Sequence, residues 1–464
     1  MPTSVRQQSS AVLKMAEDWL LIDALMGGTN AMRKQSTKFL PKWPAEDQEA
    51  YSLRLATATL FPAYARTVSV LVGKPFSKQV TFDEKVPGRV KPWLEDVDRE
   101  GRNLHTFAAA LAEEALSHGL CGILVDAPAA EGVRTIEDEK SAGIRPYFVH
   151  IKHDAILGWR IDTTNGGARL KQLRLLESVE EDDGEFGTKT VEQVRVLEPG
   201  KWTTYRKVKS DSGQETWVQH QAGTTKVKEI PFVPVYGRRT DFMTGTPPML
   251  ELGWANVEHW QSKSDQQTIL HVARVPILFG KELGAKTKVA VGSGTMVNAS
   301  SKDADLKYVE HTGAAIGAGR QSLLDLEDRM RQIGAELLVI KPGNRTVVET
   351  VADNEQGKCD LQRMMESMED GLDQAVDFMA QFVGESSDAH ISIYKDFGVA
   401  NLAEASAQLL VEMHSDGSLS DATTLNELKR RGILSPDIDV AKEIVAAKAD
   451  AKDRPAQIKE NINE

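Results

Sequence analysis

The side chains whose types could do chemistry are few and scattered. His153 followed by Asp154, and His259 on its own, are candidates for acid–base work or metal ligation. Acid–base catalysis needs a second titratable group within hydrogen-bond reach, and a metal needs several His, Cys or carboxylate ligands. No histidine-rich or carboxylate cluster stands at ligand spacing beside either residue, so both read as structural histidines. Ser262 and Ser264 lack an activating pattern. Glu113-Glu114 and Glu180-Glu181-Asp182-Asp183 read as solvated faces and turns. Cys121 and Cys359 stand far apart, without metal-ligand spacing. Cys121, inside the apolar run Gly119–Val125, reads as a small buried hydrophobe, and the pair suits a reducing compartment.

The glycine runs fail the same test. Gly292-Ser293-Gly294 and the stretch Gly313–Gly319 are not followed by Lys-Ser or Lys-Thr, so they do not cradle a phosphate. Neither stands in the strand–glycine–helix context of a dinucleotide site. Both read as flexible connectors. The methionines between Met364 and Met379 read as core or subunit interface. The expectation is a protein with no catalytic residue, no metal and no cofactor.

The elements that would have to position a site point elsewhere. A chain of 464 residues exceeds one ordinary core, so two or more domains are expected. Hydrophobic residues make up 41% and charged residues 27%, a soluble globular balance. No apolar run reaches the ~18–20 residues a bilayer crossing needs, and the start lacks a secretory pattern. The formal charge of −12 is the opposite of the basic excess that grips nucleic acid, and suits solubility or a surface along which phosphates slide.

Apolar spacing predicts helices over Ala11–Met26, Asp47–Gly73 with a break at Pro62, and Val90–Gly119 divided at Gly101. From Cys121 the period becomes extended. Short strands are expected at Ile123–Val125, Tyr147–Ile151, Ile156–Ile161, Leu170–Leu176, Val191–Leu197, Trp202–Val208 and Trp217–His220, an antiparallel module. Turns are expected at Asp182–Gly184 and Ser210–Gly213. Ile230–Tyr236, punctuated by prolines, fits an edge strand or connector.

A long helix follows at Pro247–Ala273, with Leu250, Trp254, Val257 and Trp260 as its stripe. Its polar stretch Gln261–Thr268 suits packing against identical neighbours. An insert from Pro276 to about Gly313 has strand-like runs and a basic start at Lys281, Lys286 and Lys288. A second helix, Gly319–Leu338, carries Leu323, Leu326, Met330, Ile333 and Leu337 as a heptad-like seam. A polar loop, Asn344–Gly357, leads to a third helix, Asp360–Val383. Ile391–Tyr394 reads as a strand, and Leu402–Met413, Asp421–Arg431 and Asp439–Ala447 as helices. Ser420-Asp421 and Asp437 are the candidate N-caps. The fold class is α+β. Two long helices bracketing an insert suit a ring-forming subunit better than a catalytic pocket.

The run Pro247–Gly280, the segments Tyr51–Leu55, Tyr64 and Val70–Pro75, and Gly119–Asp126 resemble tailed-bacteriophage portal proteins, closest to a group catalogued as an uncharacterised domain. The resemblance implies a wing over residues 1–245, a first stem helix over 246–275, a clip over 276–315 and a second stem helix over 316–340. A tunnel loop would cover 341–358, a long wing helix and strand 359–398, and a crown and tail 399–464. It implies a ring, dodecameric in the family, at one capsid vertex. Such a ring conducts double-stranded DNA and meets terminase, the major capsid and scaffold proteins and a head–tail adaptor. It works in the virion after assembly in the host cytoplasm, with no membrane and no cofactor. Asn344, Arg345, Thr346, Glu349, Asp353 and Asn354 would line the channel. Lys341 and Arg345 would touch phosphates, and Lys281, Lys286 and Lys288 would lie at the clip interface. The seam from Leu323 to Leu337 would pack the stem. The alternatives are another ring-forming connector, such as a tail adaptor, and a nucleotide-dependent enzyme, which would need the phosphate loop or carboxylate cluster that is not found.

Overall fold

The computed structural model describes residues 4–128, 144–164, 167–209, 215–274, 277–281, 301–309, 314–338, 358–395, 414–417, 419–430, 434 and 438–453. The chain divides into two compact units. One holds Met1–Val72, Phe82–Leu337 and Ser367–Ile391, and the other holds Gly73–Thr81, Leu338–Glu366 and Ser392–Glu464.

The larger unit begins with four helices: α1 (Ser10–Met26), α2 (Gly28–Lys34), α3 (Gln48–Thr57) and α4 (Ala63–Gly73). Local chemistry sets their ends. Ser9 caps α1 by accepting from the amide of Val12, and Asp47 caps α3 by accepting from Ala50. Pro62 stands just before α4, so the long helix expected from Asp47 is split where the ring would clash. Gly27 and Gly28 do not stop the helical run, because α2 follows at once. Two-residue strands β1 (Thr81–Phe82) and, much later, β14 (Ile391–Ser392) add little.

Only part of the helix expected over Val90–Gly119 forms. Lys91–Glu95 is a 3₁₀ turn and α5 covers Leu104–His118. Proline at the second position of the turn and a left-handed Gly101, φ +89°, separate the two. Asn103 caps α5 by accepting from Thr106. Gly119, φ +84°, ends it in the left-handed conformation that a C-terminal glycine supplies.

Two antiparallel sheets follow. β2 (Leu120–Asp126) lies between β3 (Tyr147–Ile151) and β9 (Phe232–Tyr236). β2 is buried almost throughout, which explains its unbroken apolar sequence. Pro234 pairs opposite Gly122 on the outer strand β9, the edge position expected for a strand with proline. The second sheet is a meander of β4 (Ile156–Asp162), β5 (Arg169–Asp183), β6 (Gly187–Glu198), β7 (Lys201–Lys209) and β8 (Glu215–Thr224). It turns at Asp183–Gly187 as expected; the Ser210–Gly213 turn lies outside the described residues. The strands thus serve two sheets, not one module.

α1 joins them. Val12, Met15 and Trp19 share one core with Leu120 and Leu124 of β2, Ile156 of β4, Leu173 and Leu175 of β5 and Phe232 of β9. A small hairpin of β10 (Arg238–Asp241) and β11 (Thr244–Thr246) precedes α6 (Leu250–Ala273). Then come β12 (Ile277–Lys281), β13 (Asp305–Val309), α7 (Ala314–Glu336) and α8 (Asp360–Phe382). On α8, Leu372, Ala375, Val376 and Met379 form a buried face, and Asp373 accepts from the amide of Ile391 at 2.7 Å.

In the smaller unit, Gln362 ties its stretch together: its Oε1 accepts from the amide of Cys359 and its Nε2 donates to the carbonyl of Lys395. α9 (Asp421–Arg430) is capped by Ser420, as expected. α10 (Val440–Asp453) is capped by Asp439, two residues beyond the Asp437 expected.

Candidate functional site

The three long helices form close to where the sequence places them, except that α7 begins at Ala314, so most of the run Gly313–Gly319 read as a flexible connector is helix; the contacts between α6 and α7 fix their mutual direction. Gln266 donates to the carbonyl of Ile316 at 3.0 Å, His259 Nε2 lies 3.3 Å from Glu327, and Glu258 lies 4.0 Å from Arg329. As residue numbers fall on one helix they rise on the other, so the pair is antiparallel. At about 1.5 Å per residue each helix runs some 35 Å. Gly319 permits the close approach, since a Cβ there would stand 2.1 Å from Gln266 Oε1. The pair is continued by β12 and β13, which zip antiparallel from Ile277 opposite Val309 to Lys281 opposite Asp305.

The inner face of α6 is Leu252, Ala255, Asn256, Val257 and Trp260. Asn256 anchors it to the N-terminal helices: its Oδ1 accepts from the amide of Tyr64 and its Nδ2 donates to the carbonyl of Phe61. The expected stripe needs one correction. Trp254 is 54% exposed, because the helix turns its small and amide residues inward. The polar stretch Gln261–Thr268 is also partly answered within the chain. Gln261 donates to the carbonyl of Phe39 and Gln266 reaches α7. Ser264 Oγ and Gln267 Oε1, like Trp260 Nε1, are buried without a hydrogen-bond partner.

On α7, Leu326 and Met330 of the seam are buried, while Leu323 and Ile333 are half-buried; Leu337 lies just past the helix and is half-buried too. The seam is therefore occupied largely inside one chain. Leu324 stands outside it, 42% exposed. Burial lowers the pKa of His259, and the nearby Glu327 carboxylate opposes the shift. Lys281 is exposed at the end of β12. Lys286, Lys288, Lys341, Asn344, Arg345, Thr346, Glu349, Asp353 and Asn354 lie outside the described residues.

A second constellation contradicts the expectation that no carboxylate or histidine accompanies His153. Glu114 and His118 stand one turn apart on α5, Asp23 on α1, and His153 in the turn between β3 and β4. His153 Nδ1 lies 2.5 Å from Glu114 Oε1. Asp23 Oδ1 lies 3.2 Å from His118 Nε2 and 3.5 Å from His153 Nε2. The imidazoles stack 3.8 Å apart at 7°, and the Trp19 ring meets His153 edge-on at 5.0 Å. Glu114 is thus no solvated residue: its side chain is 13% exposed.

Charges packed this way hold one another ionised. Burial pulls the His153 pKa down, but the nearby Asp23 carboxylate and the hydrogen-bonded Glu114 outweigh it and push the value up to about 9. Burial would raise the two carboxylates, yet the same partners hold Glu114 at about 2 and Asp23 lower still. Cys121, close by, is buried, and burial pushes its thiol well up, so it is a packed hydrophobe and not a nucleophile. The local sign of this cluster was the Glu114-x-x-x-His118 spacing, which puts both side chains on one helix face.

Comparisons with known proteins give three results. A family described as a domain of unknown function matches residues 248–383, the stretch from α6 to α8. No curated protein matches the chain. Among solved structures, the chain is similar to a component of the neck of an empty gene transfer agent particle, with 12% identity and a TM-score of 0.41, over 80% of this chain and 90% of that one. It is similar to a component of the virion of a native gene transfer agent, with 13% identity and a TM-score of 0.37, over 86% and 97%. The neck of the native particle gives 12% identity and a TM-score of 0.39, over 79% and 89%.

Proposed function

We propose that this chain is the subunit of a portal-type ring, a head-to-tail connector at one capsid vertex of a phage-like particle, through which double-stranded DNA is packaged and ejected. The observation that carries the reading is the antiparallel α6–α7 pair, continued by the β12–β13 hairpin and followed by the long helix α8. That order matches the stem, clip and wing helix implied by the portal-like runs of the sequence. The pair also leaves apolar surface outside the chain at Trp254, Leu324 and, on the hairpin, Phe279, which is 47% exposed. Side-by-side subunits would cover such a surface, and rotation that closes makes a ring.

The ring would act mechanically, without catalysing a reaction. Residues 344–357 would form the tunnel loop facing DNA, with Lys341 and Arg345 as transient phosphate contacts. Lys281, Lys286 and Lys288 would lie at the clip, where terminase and later an adaptor dock; capsid and scaffold proteins would surround the wing. A net charge of −12 keeps phosphates from being gripped along the way.

The test is the native mass of the purified protein, with electron micrographs of the same sample. Closed rings, dodecameric or close to it, with a central hole support the reading. A monomer or dimer that stays so with scaffold and capsid proteins present overturns it. Deleting the tip of 344–357 should leave rings intact and impair DNA packaging or retention; normal packaging would remove the tunnel-loop assignment.

A further inference from the structure

We propose that Asp23, His118 and His153 form a binding site for one transition-metal ion of the Zn²⁺ type, which staples α1, α5 and the β3–β4 turn together. The site is independent of the ring reading, since its three ligands lie within the larger unit of one chain.

The hydrogen bonds set up the problem that an ion would solve. Ser117 Oγ lies 2.6 Å from the carbonyl of Glu113, which takes its only proton. Ser117 Oγ then accepts from His118 Nδ1, 2.8 Å away. His153 Nδ1 is likewise directed at the Glu114 carboxylate, at 2.5 Å. With both Nδ1 atoms engaged, each ring turns its Nε2 edge toward Asp23 Oδ1. Three potential ligand atoms therefore converge, all within 4.8 Å of one another. His153 Nε2 is buried without a hydrogen-bond partner, on a side chain only 6% exposed.

One divalent ion would supply positive charge at the point where the three atoms meet, beside the Asp23 carboxylate, and would displace to solvent any proton held on Nε2. The dimensions suit it. Ligand atoms at about 2.0–2.1 Å from a tetrahedral zinc are about 3.3–3.4 Å apart. The two Asp23 edges, 3.2 and 3.5 Å, bracket that value. The Nδ1 partners, Glu114 and Ser117, are the outer hydrogen bonds that fix the tautomer of metal-bound histidine. Two imidazoles and a carboxylate select Zn²⁺ or Co²⁺ over Mg²⁺ or Ca²⁺. Asp23 is 53% exposed, which gives the ion a route in and leaves a fourth position to water. The rings stack at 7°, so binding requires them to splay so that both Nε2 atoms face one ion.

The test uses the full chain without an affinity tag, stripped with a chelator and titrated with ZnCl₂ by calorimetry and thermal unfolding. One ion per chain and a raised unfolding temperature are expected. CoCl₂ should give the visible absorption of a four-coordinate site, abolished by added Zn²⁺. Asp23→Asn, an isosteric change at a half-exposed position, should weaken Zn²⁺ by at least about tenfold, and Glu114→Gln by about 10- to 100-fold. Circular dichroism checks that each variant folds. Should either variant fail to fold, the Co²⁺ spectrum of the unmodified chain decides alone. No Zn²⁺ binding, equal binding in folded Asp23→Asn, or an equal thermal response to MgCl₂ would overturn the proposal.

Discussion

The joint around His153 and the α6–α7 pair handle polarity in opposite ways. At the joint, four ionisable side chains from three elements are drawn inside one chain and answer one another. On the helix pair the inner seam is filled, yet Trp254 and Leu324 face outward while Ser264, Gln267 and Trp260 keep buried polar atoms unpartnered. The joint balances its charges within the monomer, although His153 Nε2 makes no hydrogen bond there. The pair is finished only in part, which is what a surface for assembly requires. Damage to the joint should therefore read out as lost stability, and damage to the outer face of the pair as lost assembly.

The largest loss belongs to the backbone beside the joint. Gly119 closes α5 at φ +84°, and a Cβ there would stand 2.3 Å from the carbonyl carbon of Thr246 and 2.5 Å from the nitrogen of Pro247. Backbone cannot move aside as a flexible side chain can. Gly119→Ala should cost about 4 kcal/mol or more, combining left-handed strain with a steric clash. Urea unfolding followed by circular dichroism measures it; a loss below about 1 kcal/mol would show that the α5–β2 corner is not closed as described.

Next comes Glu114. Removing one member of a buried charge pair strands the other, at about 3–5 kcal/mol. Glu114→Leu, measured in chelator so that no metal contributes, should lose about that much. A near-neutral result would mean that His153 and Asp23 alone balance the joint.

These two residues show how far sequence reasoning reaches. Gly119 was legible: a glycine after an amphipathic run and before an apolar strand marks a helix end. So were α1, the three long helices, the strand at Tyr147–Ile151 and the edge placement of Pro234, because period and proline act locally. The joint was not legible, since Asp23 stands 95 residues from His118 and Glu114 stands 39 from His153. Their meeting depends on α1 packing across both sheets, which no spacing along the chain expresses. Trp254 was misread for a related reason: periodicity finds an apolar stripe but does not say which of its edges the chain covers.

A smaller effect should appear on acidification. His150, on β3, has its Nε2 buried without a hydrogen-bond partner. Burial lowers its pKa from 6.5 to about 4; Glu114 opposes the shift, and Lys152 and Arg102 add to it. Because the folded value lies below the unfolded one, the unfolded chain binds the extra proton between them. The stability that neutral His150 allows is complete above pH 6.5 and falls as pH drops toward 4, by up to about 3 kcal/mol. The difference in unfolding free energy between the unmodified chain and His150→Gln should narrow over that window. A difference that does not change with pH would mean that water reaches the ring.

The smallest effect on stability should accompany the largest effect on assembly. Trp254→Glu and Leu324→Arg replace side chains that are 54% and 42% exposed in the single chain. Exposed substitutions away from special backbone sites change stability by about 0.5 kcal/mol or less. If the outer face of the α6–α7 pair is where subunits meet, each variant should unfold at nearly the same urea concentration as the unmodified chain, yet sediment as a monomer. A buried charge at every one of the repeated contacts would oppose ring closure without touching the fold of the subunit. A loss of several kcal/mol with the native mass unchanged would reverse the comparison: Trp254 and Leu324 would then be holding the chain to itself, and the subunit contact would have to be sought on another face.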